Sequence, residues 1–155
     1  MIMEETKTKY YIDVNWYDKV NRSFSTMAIA RMCESCKGKL GTETQERVAA
    51  IDPRNGRIVY EMRNVPFAQH PMSVIRGCCS KRRDYITSET PVAEALFRVY
   101  LASSNQPMEL ERLREELGNY VAMSERPHNY APELLARVIG ADTLYGLGEF
   151  ILPTD

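Results

Sequence analysis

No stretch of this chain approaches the ~20 consecutive apolar residues that a membrane-spanning helix requires. Residues 1–10 are charged and polar and hold no apolar segment of signal-peptide length. Both absences point to a soluble, cytoplasmic protein without a membrane partner. Histidine is scarce: the two present, His70 and His128, have no Ser, Cys or Asp in the local arrangement that a catalytic triad would suggest. Cysteine is limited to Cys33, Cys36, Cys78 and Cys79. In a reducing compartment, thiols that occur as two pairs are metal ligands or redox groups more often than structural disulfides. At 155 residues the chain can bury roughly 68–70% of the surface its unfolded form exposes, so any metal is a local organiser and not a condition for folding.

Net charge is also nearly absent, at −1, but the balance conceals a division. Residues 1–83 carry 15 Lys and Arg against 9 Asp and Glu, whereas residues 84–155 carry 5 against 12. Either the two halves dock on each other, or the basic half meets an acidic partner. The chain is accordingly divided into a basic, cysteine-containing module at 1–88 and an acidic, helical module at 89–155.

The basic half opens on a β-prone run at residues 10–14. Phe24, Met27, Ala28 and Arg31 then recur at helical spacing and lead into Cys33. Two sulfurs spaced as in Cys33 and Cys36 can face one ion from a single turn, and Gly38 supplies a permissive backbone beside them. Next, residues 47–51 and 57–62 flank a turn in which Pro53 presets φ while Asn55 and Gly56 accept positive φ. A β-hairpin is expected there. Residues 71–76 suit a short helix that Gly77 ends just before Cys78.

A Cys-x-x-Cys, a hairpin and a second thiol pair resemble a zinc ribbon over Cys33 to Cys79, which implies an ion held by Cys33, Cys36, Cys78 and Cys79. The pattern departs from that family in two respects: the second pair is adjacent, and 41 residues separate the pairs. Neighbouring side chains on an extended backbone point apart, so Cys78 and Cys79 can share an ion only if the chain turns sharply between them. Four arrangements follow. The ion is zinc on four thiolates; or zinc on three thiolates with His70 replacing one of the adjacent cysteines; or the thiols hold an iron–sulfur cluster; or they hold no metal.

Redox and phosphatase chemistry fit less well. The stretch around Cys33 resembles a thioredoxin active site only in its bare Cys-x-x-Cys and lacks the βαβ setting. A phosphatase-type loop wants an Arg six positions after its cysteine, where this chain has Asp84 and Tyr85. Lys37, Lys39, Arg76, Lys81, Arg82 and Arg83 gather around the thiols in sequence. They are candidates for contacting phosphates, with Tyr85 able to stack on a base, or else they offset the negative charge of a four-thiolate site.

In the acidic half, Thr90 as N-cap and Pro91 at the first helical position start a helix reaching Ala102 that is apolar on most faces, and therefore central. A second helix at about 108–117 carries Leu110, Leu113 and Leu117 on one stripe. A third begins near Pro132 and stops at Gly140, and residues 144–152 suit a terminal strand or hairpin. Three helices followed by a short β element resemble a winged helix-turn-helix. Between Ala131 and Asp142, however, Arg137 is the single basic residue, which argues against reading DNA with that helix.

The expectation is an α+β chain: a β-hairpin, zinc-ribbon-like first half and a three-helix, winged-helix-like second half. Its expected role is a non-enzymatic, intracellular, zinc-binding adaptor or regulator working through protein contacts. One alternative is a nucleic-acid-binding protein that sets its basic cysteine module on phosphates. Another is an iron–sulfur or thiol redox protein.

Overall fold

In the computed structural model, which describes residues 8–151, strand β1 (Lys9–Ile12) leads at once into helix α1 (Val14–Lys19). Asp13 caps that helix by accepting the Asn15 backbone N–H, and Ser23 caps α2 (Phe24–Ile29) by accepting that of Thr26. A single turn, α3 (Glu34–Lys37), follows. The hairpin is longer than its turn chemistry alone required, pairing β2 (Glu43–Ile51) with β3 (Ile58–Pro66). At its tip Gly56 takes the positive φ, +70°, and Asn55 does not. Helix α4 (Pro71–Gly77) completes the basic half.

Helices α5 (Val92–Ala102), α6 (Leu110–Gly118) and α7 (Pro132–Gly140) form the other half, and strand β4 (Leu147–Phe150) ends the described chain. One N-terminal signal needs correction. Pro91 is itself the N-cap of α5, while the Thr90 hydroxyl accepts the Thr87 backbone N–H and so closes the preceding turn. The architecture is thus mixed α and β, with two small antiparallel sheets, β1 with β4 and β2 with β3.

Helix α5 is the spine of the interior. Ala95, Leu96, Phe97, Val99, Tyr100 and Leu101 are all buried, which a helix apolar on most faces demands. Around it packs one core cluster drawn from both sides of residue 88, including Ile12, Tyr17, Met32 and Ile75 from the first half and Leu113, Leu135 and Leu147 from the second. The termini of the described chain meet as well, since β1 pairs antiparallel with β4 from Lys9↔Phe150 to Ile12↔Leu147. Gly146, just before β4, has φ +74°, and a Cβ there would lie 3.0 Å from both the Trp16 and Tyr17 rings. No other residue fits that corner without displacing an aromatic ring.

The far side of β1 is closed by side chain and backbone together. Tyr10 and Met108 exchange backbone hydrogen bonds at 2.8 and 2.9 Å. The Asn105 carboxamide accepts the Ile12 N–H and donates to the Ile12 carbonyl, each at 2.8 Å. Asn105 holds φ +58°, a left-handed conformation that Asn tolerates better than most residues. Replacing Asn105 with Ala leaves both Ile12 backbone groups unpaired beside a fully buried side chain, and is expected to cost about 1–3 kcal/mol. Urea denaturation of the variant and the parent measures it.

Candidate metal centre

Local backbone geometry brings the four thiols together. Cys33 is the N-cap residue of α3 and Cys36 lies inside that turn, so one turn of helix places both sulfurs on the same side. The adjacent pair is separated by a bend: Cys78 ends α4 with φ −134° and ψ −67°, and Cys79 begins a short 3-10 turn, Cys79–Lys81. That is the sharp turn two neighbouring cysteines need in order to face one point. The Sγ atoms of Cys33 and Cys79 lie 3.6 Å apart, those of Cys33 and Cys78 lie 4.0 Å apart, and all four sulfurs fall within 4.8 Å of one another. None is in a disulfide. A group of four cysteines at this spacing can hold a metal ion.

Burial divides the set. Cys36 and Cys79 are buried, while Cys33 and Cys78 are half-buried at the edge of the core. The Cys33 backbone N–H donates to the Cys79 sulfur at 3.2 Å. For the Cys33 thiol, burial works against ionisation, but hydrogen bonds from the Cys36 backbone and from the thiols of Cys36, Cys79 and Cys78 outweigh it and hold the pKa down at about 6. Burial pushes the thiols of Cys36 and Cys79 up. The surroundings thus favour the thiolate at Cys33 and the thiol at Cys36 and Cys79, and a bound cation would favour the thiolate at each of its ligands.

Beside the sulfurs lies a cavity of about 300 Å³, lined in part by Cys33, Cys79, Arg31, Arg82, Tyr85 and Arg98. Glu94 on α5 organises its wall. It accepts from Arg31 Nε at 3.2 Å and Nη2 at 2.9 Å and sits 3.7 Å from Arg98 Nε, while the Arg31 guanidinium lies 5.1 Å from the centre of the Phe97 ring. These contacts tie the segment entering Cys33 to the central helix. They were not legible in the sequence, because Arg31 and Glu94 stand 63 residues apart.

The residues singled out in the sequence fall at several different places. His70 is outside the cluster: its imidazole is 61% exposed and 3.7 Å from the Glu46 carboxylate on β2. Arg82 faces the sulfurs, and its own pKa is raised by the charge of Cys33 and by hydrogen bonds to Cys33 and Cys78. Lys37 lies 3.9 Å from Glu34, and Lys39 sits 5.7 Å from the centre of the Phe67 ring. Arg76, Lys81 and Arg83 are exposed. Tyr85 requires a correction: it is buried, with its hydroxyl donating to the Arg98 carbonyl and its ring beside Tyr120, and has no free face for a base.

Replacing His70 with Ala is therefore expected to leave the metal stoichiometry unchanged. In cobalt-substituted protein, the thiolate-to-cobalt absorption should match the parent in position and intensity. A blue-shifted or weakened band would mark His70 as a ligand. No family model, curated protein or solved structure matches this chain.

Proposed function

We propose that Cys33, Cys36, Cys78 and Cys79 bind one zinc ion as a structural centre, and that the protein is a non-enzymatic adaptor or regulator acting through protein contacts. The observation that carries the zinc assignment is the sulfur spacing. A tetrahedral ion with Zn–S bonds of ~2.3 Å sets its sulfurs about 3.8 Å apart, and Cys33 stands 3.6 and 4.0 Å from Cys79 and Cys78. An iron–sulfur cluster distributes its cysteines over more than one iron and so needs them further apart. Four protein ligands leave no position for a reacting water, which favours a structural role over a catalytic one.

The centre would join the two ends of the inserted hairpin. Cys33 and Cys36 precede β2, and Cys78 and Cys79 follow α4, so one ion would close the 41-residue excursion between the pairs. This is the ribbon-like element of the reading, a hairpin whose base is fixed by metal. The winged-helix-like element is less well supported, because β4 pairs with β1 and not with a neighbouring wing strand.

Adaptor function is favoured over nucleic-acid binding by where the cations go. Arg82 faces the thiols, Lys37 and Lys39 have local partners and Tyr85 is buried, so of the six cations Arg76, Lys81 and Arg83 are left exposed with no aromatic beside them that is open to a base. The test is a titration of the metal-loaded full chain with duplex DNA and with single-stranded RNA at low salt. The adaptor reading expects no saturable binding to either. Affinity that declines steeply as salt rises would replace it with the phosphate-binding reading.

A further inference from the structure

The β2–β3 arm presents an apolar face to solvent. Cross-strand partners share a face, so the pairs Ile51↔Ile58, Ala49↔Tyr60 and Arg47↔Met62 lie together. Ile51, Ile58, Tyr60 and Met62 are 60–71% exposed, and the Arg47 guanidinium lies over the Tyr60 ring at 4.1 Å. The base of the arm meets α4 near His70. Beyond the base, no other described element makes more than sparse contact with either strand. A two-stranded ribbon by itself is marginal in water, and at least a third strand or a covering helix is usually required.

The hydrogen-bond phase of the hairpin shows which edge is available. Asp52 N–H donates to the Arg57 carbonyl at 2.8 Å, and Phe67 N–H to the Thr42 carbonyl at 2.8 Å. With the register fixed, Val59, Glu61, Arg63 and Val65 therefore direct their backbone groups inward to β2, while Ile58, Tyr60, Met62 and Asn64 direct theirs outward. The interior of β3 contains neither proline nor lysine, two devices that commonly protect an edge strand.

We propose that β3 pairs antiparallel with β3 of a second copy of this chain, across a two-fold axis at Met62, to give a continuous four-stranded sheet. The charge pattern selects both the occupant and the register. Centred on Met62, the outward backbone groups of the two strands face each other, Glu61 stands opposite Arg63 of the second copy, and Val59 stands opposite its Val65. Symmetry repeats each of these contacts. Shifting the register one step places Glu61 against Glu61, and one step the other way places Arg63 against Arg63, so both neighbouring alternatives oppose like charges.

Met62 of the two copies adjoin at the axis, and the two apolar faces merge on one side of the sheet. The register engages all nine residues of β3. On β2 a comparable charge match, Glu43 with Arg47, overlaps only residues 43–47 at the base beside α4. The two-fold arrangement is isologous, the commonest form of homodimer. The pairing does not depend on the identity of the metal.

Sedimentation equilibrium of the metal-loaded full chain tests the pairing, alone and with charge-reversed variants. Glu61 and Arg63 lie 3.4 Å apart along the strand, with side chains 54% and 57% exposed, so substitutions there do not enter the core. The parent is expected to be a dimer. Glu61→Arg and Arg63→Glu should each weaken it by about tenfold or more, because each reversal creates two like-charge contacts. An equimolar mixture of the two variants should form a heterodimer, since positions 61 and 63 then carry opposite charges in both contacts across the axis. A monomeric parent would overturn the proposal and leave the edge for a strand of another protein. A dimer insensitive to both reversals, or variants that weaken but fail to recover on mixing, would overturn it as well, by placing the contact elsewhere.

Discussion

Cys36→Ser is expected to release the metal and to lower the stability of the chain by about 4 kcal/mol when free zinc in the parent sample stands roughly a thousandfold above its Kd. Cys36 is the informative position because its sulfur is buried while its backbone lies in α3, so serine keeps the helical turn and removes only the soft ligand. Three thiolates without a fourth bind zinc far more weakly. Because Cys36 and Cys79 belong to the same core cluster as α5, the single unfolding transition should shift as a whole. Guanidinium denaturation with and without added zinc measures the effect: the parent's midpoint should move with zinc concentration, and the variant's should not. Cys79→Ser should behave in the same way, because its sulfur is equally buried and only 3.6 Å from that of Cys33.

Phe97→Ala is expected to cost about 3–5 kcal/mol, the range found for removing a large aromatic from a packed core. Phe97 is fully buried on α5 and joins segments from opposite ends of the chain. Its ring centre lies 6.3 Å from that of Phe24 on α2 and 5.1 Å from that of Tyr145 beside β4, and the Arg31 guanidinium stacks on it. The resulting cavity would therefore loosen the basic half and the acidic half together. At about 2–4 °C per kcal/mol for a chain of this size, the midpoint of thermal unfolding should fall by about 10 °C. A single cooperative transition shifted as a whole is expected from the shared core. Two separate transitions, only one of them shifted, would indicate that the halves unfold independently.

Local signals and long-range contacts divide the fold. The hairpin was legible because Pro53 and Gly56 impose a turn whatever surrounds them, and α7 because Pro132 and Gly140 punctuate it at both ends. Helix α5 announced its central place through apolar residues on nearly every face. By contrast, the pairing of β1 with β4 joins residues at opposite ends of the sequence, and neither short strand carries a local mark of its partner. The Thr90 hydroxyl closes a turn with Thr87 where it could equally have capped the helix, a competition between two local hydrogen bonds that tertiary packing decides.

In the candidate centre, the spacing of Cys33 and Cys36 was informative because a single turn joins them. Whether Cys78 and Cys79 could join them depended on one pair of backbone angles at Cys78, which residue types do not determine. The six cations lie near the thiols along the chain. Their directions were not visible: Arg82 turns to the sulfurs, and Lys39 lies over Phe67. Tyr85 was misplaced for the same reason, since a tyrosine preceded by four charged residues in sequence is here carried into the core by the turn that follows Arg82.

Elemental analysis of the purified full chain, with protein and acid-labile sulfide quantified on the same sample, tests the central claim most directly. One zinc per chain is expected in the parent, with no labile sulfide, and little or no zinc in Cys36→Ser. Iron with matching sulfide, or a parent that takes up no stoichiometric zinc when refolded in its presence, would contradict it.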